Sequence, residues 1–282
     1  MASLQGIKRR IRSVSNTRQI TKAMQMVEAS KLRKAQATAL GPQAYTDAAR
    51  ALLARLGGTP VANLSPLFQK RPVKNALTIV VAADRGMAGA YNGNVLKALG
   101  RHVHDLAVSQ SAIAIGRRAA VAVARASDVT EVASYGIDHG DADTAIARPV
   151  LEEVTRLYVS GEVDAVHLIY THFVSTVKYE VITKQLLPVV SSEAKTGEGE
   201  MEPDPSELLD YAARRVIEAD IVQAVLEARA SENASRMMAM MNATDNANDL
   251  IADYTLAFNN ARQASITQEI AEISGGAQAI TQ

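Results

Sequence analysis

SELLDYAARRVIEADIVQAVLEARASENASRMMAMMNATDNANDLIADYTLAFNNARQASITQEIAEIS, residues 206–274, contains neither glycine nor proline in 69 positions. Those are the two residues that most strongly break a helix, and at 1.5 Å per residue an unbroken helix of this length is on the order of 100 Å long. No globular domain that the rest of the chain could build has an interior that deep. A seam of small and apolar residues runs through Ala213, Ile217, Ile221, Ala224 and Ala228, and again through Ala247, Leu250, Tyr254, Ala257, Ala261 and Ala264. Alanine at so many of these positions keeps helix propensity high and lets a second helix axis approach closely.

A matching helix is expected at the other end of the chain. Leu4, Ile7, Ile11 and Val14, then Ile20, Met24 and Val27, recur in steps of three and four among Lys, Arg, Gln and Ser. A stripe that narrow is a coiled-coil seam, whereas a helix buried in a core has a broader apolar face. Gly41-Pro42 predicts a kink or a break, and Gly57-Gly58-Thr59-Pro60 ends the segment. Between the ends, Leu77–Ala83, Ser111–Ile115 and Asp164–Tyr170 read as strands alternating with helices, one of them over 143–160. An antiparallel partner near Val177–Leu187 is closed by Pro188. The expected fold is therefore α/β plus coiled coil: an N-terminal coiled-coil helix (1–58), a Rossmann-like α/β domain (75–192), and a C-terminal coiled-coil helix (206–282) that returns antiparallel to the first. The C-terminal helix is the longer, so one tip should project alone.

Composition narrows the function. Thirty basic and thirty acidic residues cancel, so no global charge draws the chain to nucleic acid. Locally, nine basic residues stand against Glu28 within 1–36, and seven acidic residues stand against Lys195 within 193–210. The basic N-terminal helix lacks interleaved aromatics, which fits a face that meets acidic protein better than one that meets nucleic acid. The absence of cysteine removes disulfides, thiol catalysis and thiolate metal sites. No apolar run is long enough to span a bilayer. The Arg-rich start has the look of a transit peptide, but the same helical pattern continues past residue 30 through Glu28, so it is read as helix.

Motifs for chemistry are weak. The turn Asp84-Arg85-Gly86-Met87-Ala88-Gly89 follows a strand and precedes a helix, where a phosphate loop would lie, but it has neither G-x-G-x-x-G spacing nor a Walker lysine. It is read as a tight turn with local Asp or Arg contacts. The five histidines show no metal-ligand spacing, no nucleophile elbow occurs, and no catalytic residue, cofactor or metal is expected. Met24, Met26 and the Met237–Met241 cluster are gap-filling core or a compliant docking surface. From Gln263 to Gln282 the only charges are Glu269 and Glu272, set among Ile266, Ile270, Ile273 and Ile280. A free tip of that composition calls for a sheath.

Two segments carry a resemblance. IKRRIRSVSNTRQITKAMQMVEASK (7–31) resembles the N-terminal signature of ATP synthase gamma subunits, and ATDNA (243–247) with ARQASITQEI (261–270) resembles that family's C-terminal one. DRG (84–86), QLLP (185–188) and EPDP (202–205) fall in the family's order, so the likeness covers the whole chain. It implies a non-catalytic rotor in the central stalk of a proton-driven ATP synthase, turning within a ring of alpha and beta subunits. Partners implied are alpha, beta, epsilon, the membrane c-ring and, indirectly, delta, with no nucleic acid. The place implied is peripheral, on the cytoplasmic face of a bacterial plasma membrane in preference to the mitochondrial inner membrane. Arg262, Gln263 and Thr267 match the positions that catch a beta-subunit loop. Lys22, Met24 and Met26 match the neck that faces the acidic lever of beta. Glu200, Met201 and Glu202, with Asp84 and Arg85, match the foot that faces epsilon and the c-ring. The chain departs from the family at Met87-Ala88-Gly89-Ala90, where Leu-Cys-Gly-Gly is common, and it lacks an aromatic often found just before Glu-Pro-Asp-Pro. It also lacks the cysteine insertion of chloroplast relatives. The competing reading is a Rossmann-type nucleotide-binding enzyme with helical arms.

Overall fold

The computed structural model describes residues 4–40, 48–51, 53, 65–137, 145–189 and 205–280. In chain order the elements are α1 (Leu4–Leu40), β1 (Asn75–Val81), α2 (Tyr91–Leu106), β2 (Ser109–Ile115), α3 (Arg117–Val123), β3 (Val129–Tyr135), α4 (Ala147–Ser160), β4 (Ala165–Phe173), β5 (Tyr179–Leu187) and α5 (Pro205–Ile280). They form two compact units, one of residues 29–236 and one of 1–28 with 237–282.

The larger unit is built on a five-stranded sheet in the order β3-β2-β1-β4-β5, parallel except for the β4–β5 pair. β3 is a strand that apolar runs alone do not reveal. It is an edge strand whose residues are half-buried or exposed, and the helix before it has only seven residues. One sheet face (Val80, Ala82, Ala112, Ala114, Ile169) packs under α2 and α3 through Val95, Ala98, Leu99, Ala119 and Val123. The opposite face (Leu77, Ile79, Ile113, Ile115, Leu168) carries Val150, Val154 and Tyr158 of α4 together with Leu209, Ala213, Ile217, Ile221, Ala224 and Ala228 of α5. The first half of the seam expected on the C-terminal helix is thus a sheet-packing face. Its alanines serve close approach, but to a sheet, because β1, β2 and β4 expose a flat apolar surface that α4 alone does not cover.

The smaller unit is an antiparallel helix pair. Thr21 lies against Thr244 and Arg18 against Asn248, so α1 ascends as α5 descends. Along α1 the fully buried residues in this unit are Ile7, Thr21 and Glu28, spaced by fourteen and seven, and the same heptad continues to Ala35. This overturns the seam read through Ile20 and Val27, which are 60% and 52% exposed. The physical reason is phase. Ile7, Val14, Thr21 and Glu28 share one heptad, whereas a path through Ile20 and Val27 requires a jump of one residue, about 100° around the helix. On α5 residues 237–241 are all shielded at least in part, and beyond them the shielded positions are Ala243, Thr244, Ala247, Ile251, Tyr254, Phe258, Ala261 and Ser265. Leu250, Ala257 and Ala264 lie outside that seam, contrary to the sequence reading. Carrying the Thr21–Thr244 register along in heptads sets Val14 level with Ile251 and Ile7 level with Phe258.

Gly116 ends β2 with φ +92°, and a Cβ there would stand 2.0 Å from the Ala82 carbonyl oxygen. Gly116→Ala should cost about 3 kcal/mol or more, read as a lower urea midpoint by circular dichroism. A second outcome concerns His102 and His167, whose rings meet edge-on with centroids 4.5 Å apart between α2 and β4. Burial and then the neighbouring His102 push His167 down to about 4, and burial lowers His102 as well. The fold therefore holds both imidazoles neutral while the unfolded chain protonates near 6.5, so stability is complete above about pH 6.5 and declines toward pH 4. His167→Gln should flatten that slope in urea titrations at pH 7 and pH 5, whatever its effect on the midpoint at pH 7.

Candidate functional surfaces

In doubly wound sheets, ligands bind beyond the carboxyl ends of the strands where the strand order reverses, here beyond β1 and β4. In this chain that crevice is filled by α5. Ser231 donates to the Thr171 carbonyl (3.2 Å) at the end of β4. Ser235 donates to the Ala88 carbonyl (2.7 Å) in the turn after β1, and Tyr179 donates to Ser235 (3.1 Å). Arg236 donates to the Gly86 carbonyl (3.2 Å) while pairing with Glu232 at 2.6 Å, both side chains almost wholly buried. Tyr91 donates to the Ala228 carbonyl (3.2 Å), and its burial raises the phenol's pKa. Further along the helix, Glu227 meets His172 at 2.5 Å, and Asp220 is held by Lys184 (2.6 Å) and Arg50.

The Asp84–Gly89 turn is consequently a structural knot. Asp84 accepts from the backbone N–H of Arg117 (2.6 Å) and of Ile137 (3.1 Å), tying β1 to the starts of the segments after β2 and β3. Asn92 donates to the Arg85 carbonyl and accepts from the Ala83 N–H. The Arg85 side chain is exposed. So is Met87, in a left-handed conformation (φ 59°). The Asp84 carboxylate and the Arg85, Gly86 and Ala88 carbonyls each have a protein partner, so the turn is bound into the fold. Ser231, Ser235 and the Glu232–Arg236 pair were not singled out from the sequence. Five polar residues within the six positions 231–236 of an otherwise Ala- and Met-rich helix were the available signal.

On the helix pair, Lys22 is exposed and donates to Gln25 (3.3 Å), Met24 is half-buried, and Met26 is exposed. Arg18, Lys22 and Met26 of α1, with Asp245 and Asn248 of α5, line an open groove of about 510 Å³. Arg262, Gln263 and Thr267 are all exposed, with the Thr267 hydroxyl bonded back to the Gln263 carbonyl (2.9 Å). Residues 266–276 are exposed without a break, Ile266, Ile270 and Ile273 among them. Glu200, Met201 and Glu202 lie outside the described residues. Among the described residues, no group of three or more His, Asp or Glu is placed to hold a metal, and no helix is long and apolar enough to cross a membrane.

The larger unit is a Rossmann-like sheet whose ligand crevice is closed by a helix of its own, and the smaller is an antiparallel helix pair with outward apolar residues, which defines an α/β plus coiled-coil protein. The comparisons with known proteins name the family. The family model described as ATP synthase matches residues 3–280. ATP synthase gamma chains of Dehalococcoides mccartyi and Moorella thermoacetica are each 38% identical over 99% of this chain and 100% of their own length. The chain belongs to the ATP synthase gamma-chain family. Its fold matches a chain in the mitochondrial ATP synthase of Euglena gracilis (TM-score 0.68, 17% identity, 98% of this chain and 94% of that one). It also matches one in the central stalk and c-ring of the Tetrahymena thermophila enzyme (TM-score 0.62, 22% identity, 79% and 99%).

Breaking the buried ion pair tests the filled crevice. Arg236→Leu leaves the Glu232 carboxylate buried without this partner and should cost about 3–5 kcal/mol, whereas Glu232→Leu/Arg236→Leu, which removes both charges, should recover most of that loss in thermal unfolding.

Proposed function

We infer that this chain is the central-stalk rotor subunit of a rotary ATP synthase, carrying torque between a membrane c-ring and the catalytic sites of an alpha/beta ring. It is a non-catalytic subunit, and catalysis belongs to the beta subunits. The observation that carries the reading is the unbroken exposure of residues 266–276, with isoleucines at 48–73% exposure on a helix tip that no other described segment covers. An isolated tip of that kind is a liability in water, and a closely fitting protein collar removes it.

In this reading the tip turns inside the collar, with Arg262, Gln263 and Thr267 as the catch for a beta-subunit loop. Lys22, Met24 and Met26 form the neck toward beta. The heptad phase of α1 supports this, because it turns Ile20, Met26 and Val27 outward on the same stretch as Lys22. The result is an apolar strip with positive charge beside it, suited to an acidic amphipathic partner helix. Residues 75–192, with Asp84, Arg85 and the acidic segment Glu200, Met201 and Glu202, form the foot toward epsilon and the c-ring. The subunit then sits peripherally, on the cytoplasmic face of a bacterial plasma membrane.

The nucleotide-enzyme alternative is disfavoured by the crevice geometry: α5 occupies the place where its ligand would lie. Affinity purification of the tagged chain from gently solubilised native membranes should recover alpha- and beta-type subunits, and their absence would count against the rotor reading. Truncation after Ile266 should lower ATP-driven proton pumping in membrane vesicles while leaving the urea unfolding of the α/β unit unchanged.

A further inference from the structure

The helix pair contains a polar layer where apolar packing would be more stable. Thr21 and Thr244 are 8% and 7% exposed, and their hydroxyl oxygens stand 2.8 Å apart, one donating to the other. Each hydroxyl is also within reach of its own helix backbone, Thr21 at the Arg18 carbonyl (3.1 Å) and Thr244 at the Met240 carbonyl (2.8 Å). Two protons serve three contacts, so the layer is a short relay between the two backbones and not a pair of independent side chains.

What the layer selects is visible on α5, which carries two adjacent apolar stripes. They share Ala247, Tyr254 and Ala261. The observed stripe adds Thr244, Ile251 and Phe258, whereas the neighbouring one adds Ala243, Leu250 and Ala257. Ile251 and Phe258 are themselves only half-buried, so apolar burial discriminates weakly between the two settings. Turning α5 by about 50°, from the centre of one stripe to that of the other, would bring Ala243 toward Thr21 in place of Thr244 and end the bond between the helices. A single buried polar pair is a known means by which a coiled coil fixes its pairing at some cost in stability.

We propose that the Thr21–Thr244 hydrogen bond is the key that selects which face of α5 meets α1, and so sets which side chains compose the groove beside it. That groove combines Arg18, Lys22 and Met26 with Asp245 and Asn248, and Thr244 is one of its walls. The two threonines are therefore positioning residues for the neck. This last consequence rests on the reading of the neck as partner-facing, whereas the selection of the helix face does not.

The chain has no cysteine, so introduced pairs report pairing cleanly. In the full-length chain, oxidative cross-linking of Val14→Cys with Ile251→Cys is compared with that of Val14→Cys with Leu250→Cys. With the native threonines the first pair should close faster. In Thr21→Val/Thr244→Val, which keeps the shape and removes the hydroxyls, the ratio of the two rates should fall by about five- to tenfold, the weight of one buried hydrogen bond. Thr21→Ser/Thr244→Ser should restore it. A ratio unchanged in the valine variant overturns the proposal, as does failure of the serine variant to restore it. The same cysteine-free variants are assembled into the membrane complex and assayed for protons pumped per ATP hydrolysed. A fallen cross-link ratio with reduced pumping supports both the key and its consequence for the neck. A fallen ratio with pumping intact leaves the key standing and overturns the partner-facing reading.

Discussion

The seating of α5 across the carboxyl ends of β1 and β4 is the interaction on which the α/β unit depends. Ser231 and Ser235 satisfy carbonyls of β4 and of the turn after β1, and the Glu232–Arg236 pair locks that turn from beneath. Each of these groups is buried, so each would cost more unpaired than it contributes paired, and together they fix the helix over residues 231–236. The crevice that serves nucleotides in related architectures is spent here on holding a helix. That converts a fold associated with ligand binding into a mounting.

The mounting explains the pattern of the turn at Asp84–Gly89. Its aspartate caps two backbone N–H groups from other parts of the sheet, its glycine and alanine carbonyls receive α5, and its outward side chains are left to solvent. A left-handed backbone at Met87, unfavourable for a bulky residue, is tolerated because the residues on both sides are fixed. The side chain is thereby held exposed on a rigid turn.

The helix pair obeys a different constraint. A straight helix keeps one phase, and the phase that buries Ile7 also buries Thr21 and Glu28. Polar residues enter the seam because Ile7 and Val14 on one side and Leu32 and Ala35 on the other demand it, and Ile20, Met26 and Val27 are turned outward for the same reason. One geometrical fact thus produces both the polar layer between the helices and the apolar strip on the outside.

Much of this was legible in the residues alone. Freedom from glycine and proline over 206–274 established the long helix, the β-rich runs established four of five strands, and the two terminal motifs carried the family. These are local properties, set by propensity and period within a few turns. Three things were decided only by tertiary structure. β3 forms because an exposed, alternating segment finds the free edge of β2. The Ala213–Ala228 stripe turns to the sheet because an alanine face suits a sheet as well as a helix, and its sequence does not distinguish them. The choice between Ile20 and Thr21, and between Leu250 and Ile251, is set by phase and by one hydrogen bond between residues 223 positions apart. Hydrophobicity ranks residues one at a time, whereas burial in a coiled coil belongs to a whole helix at one rotation.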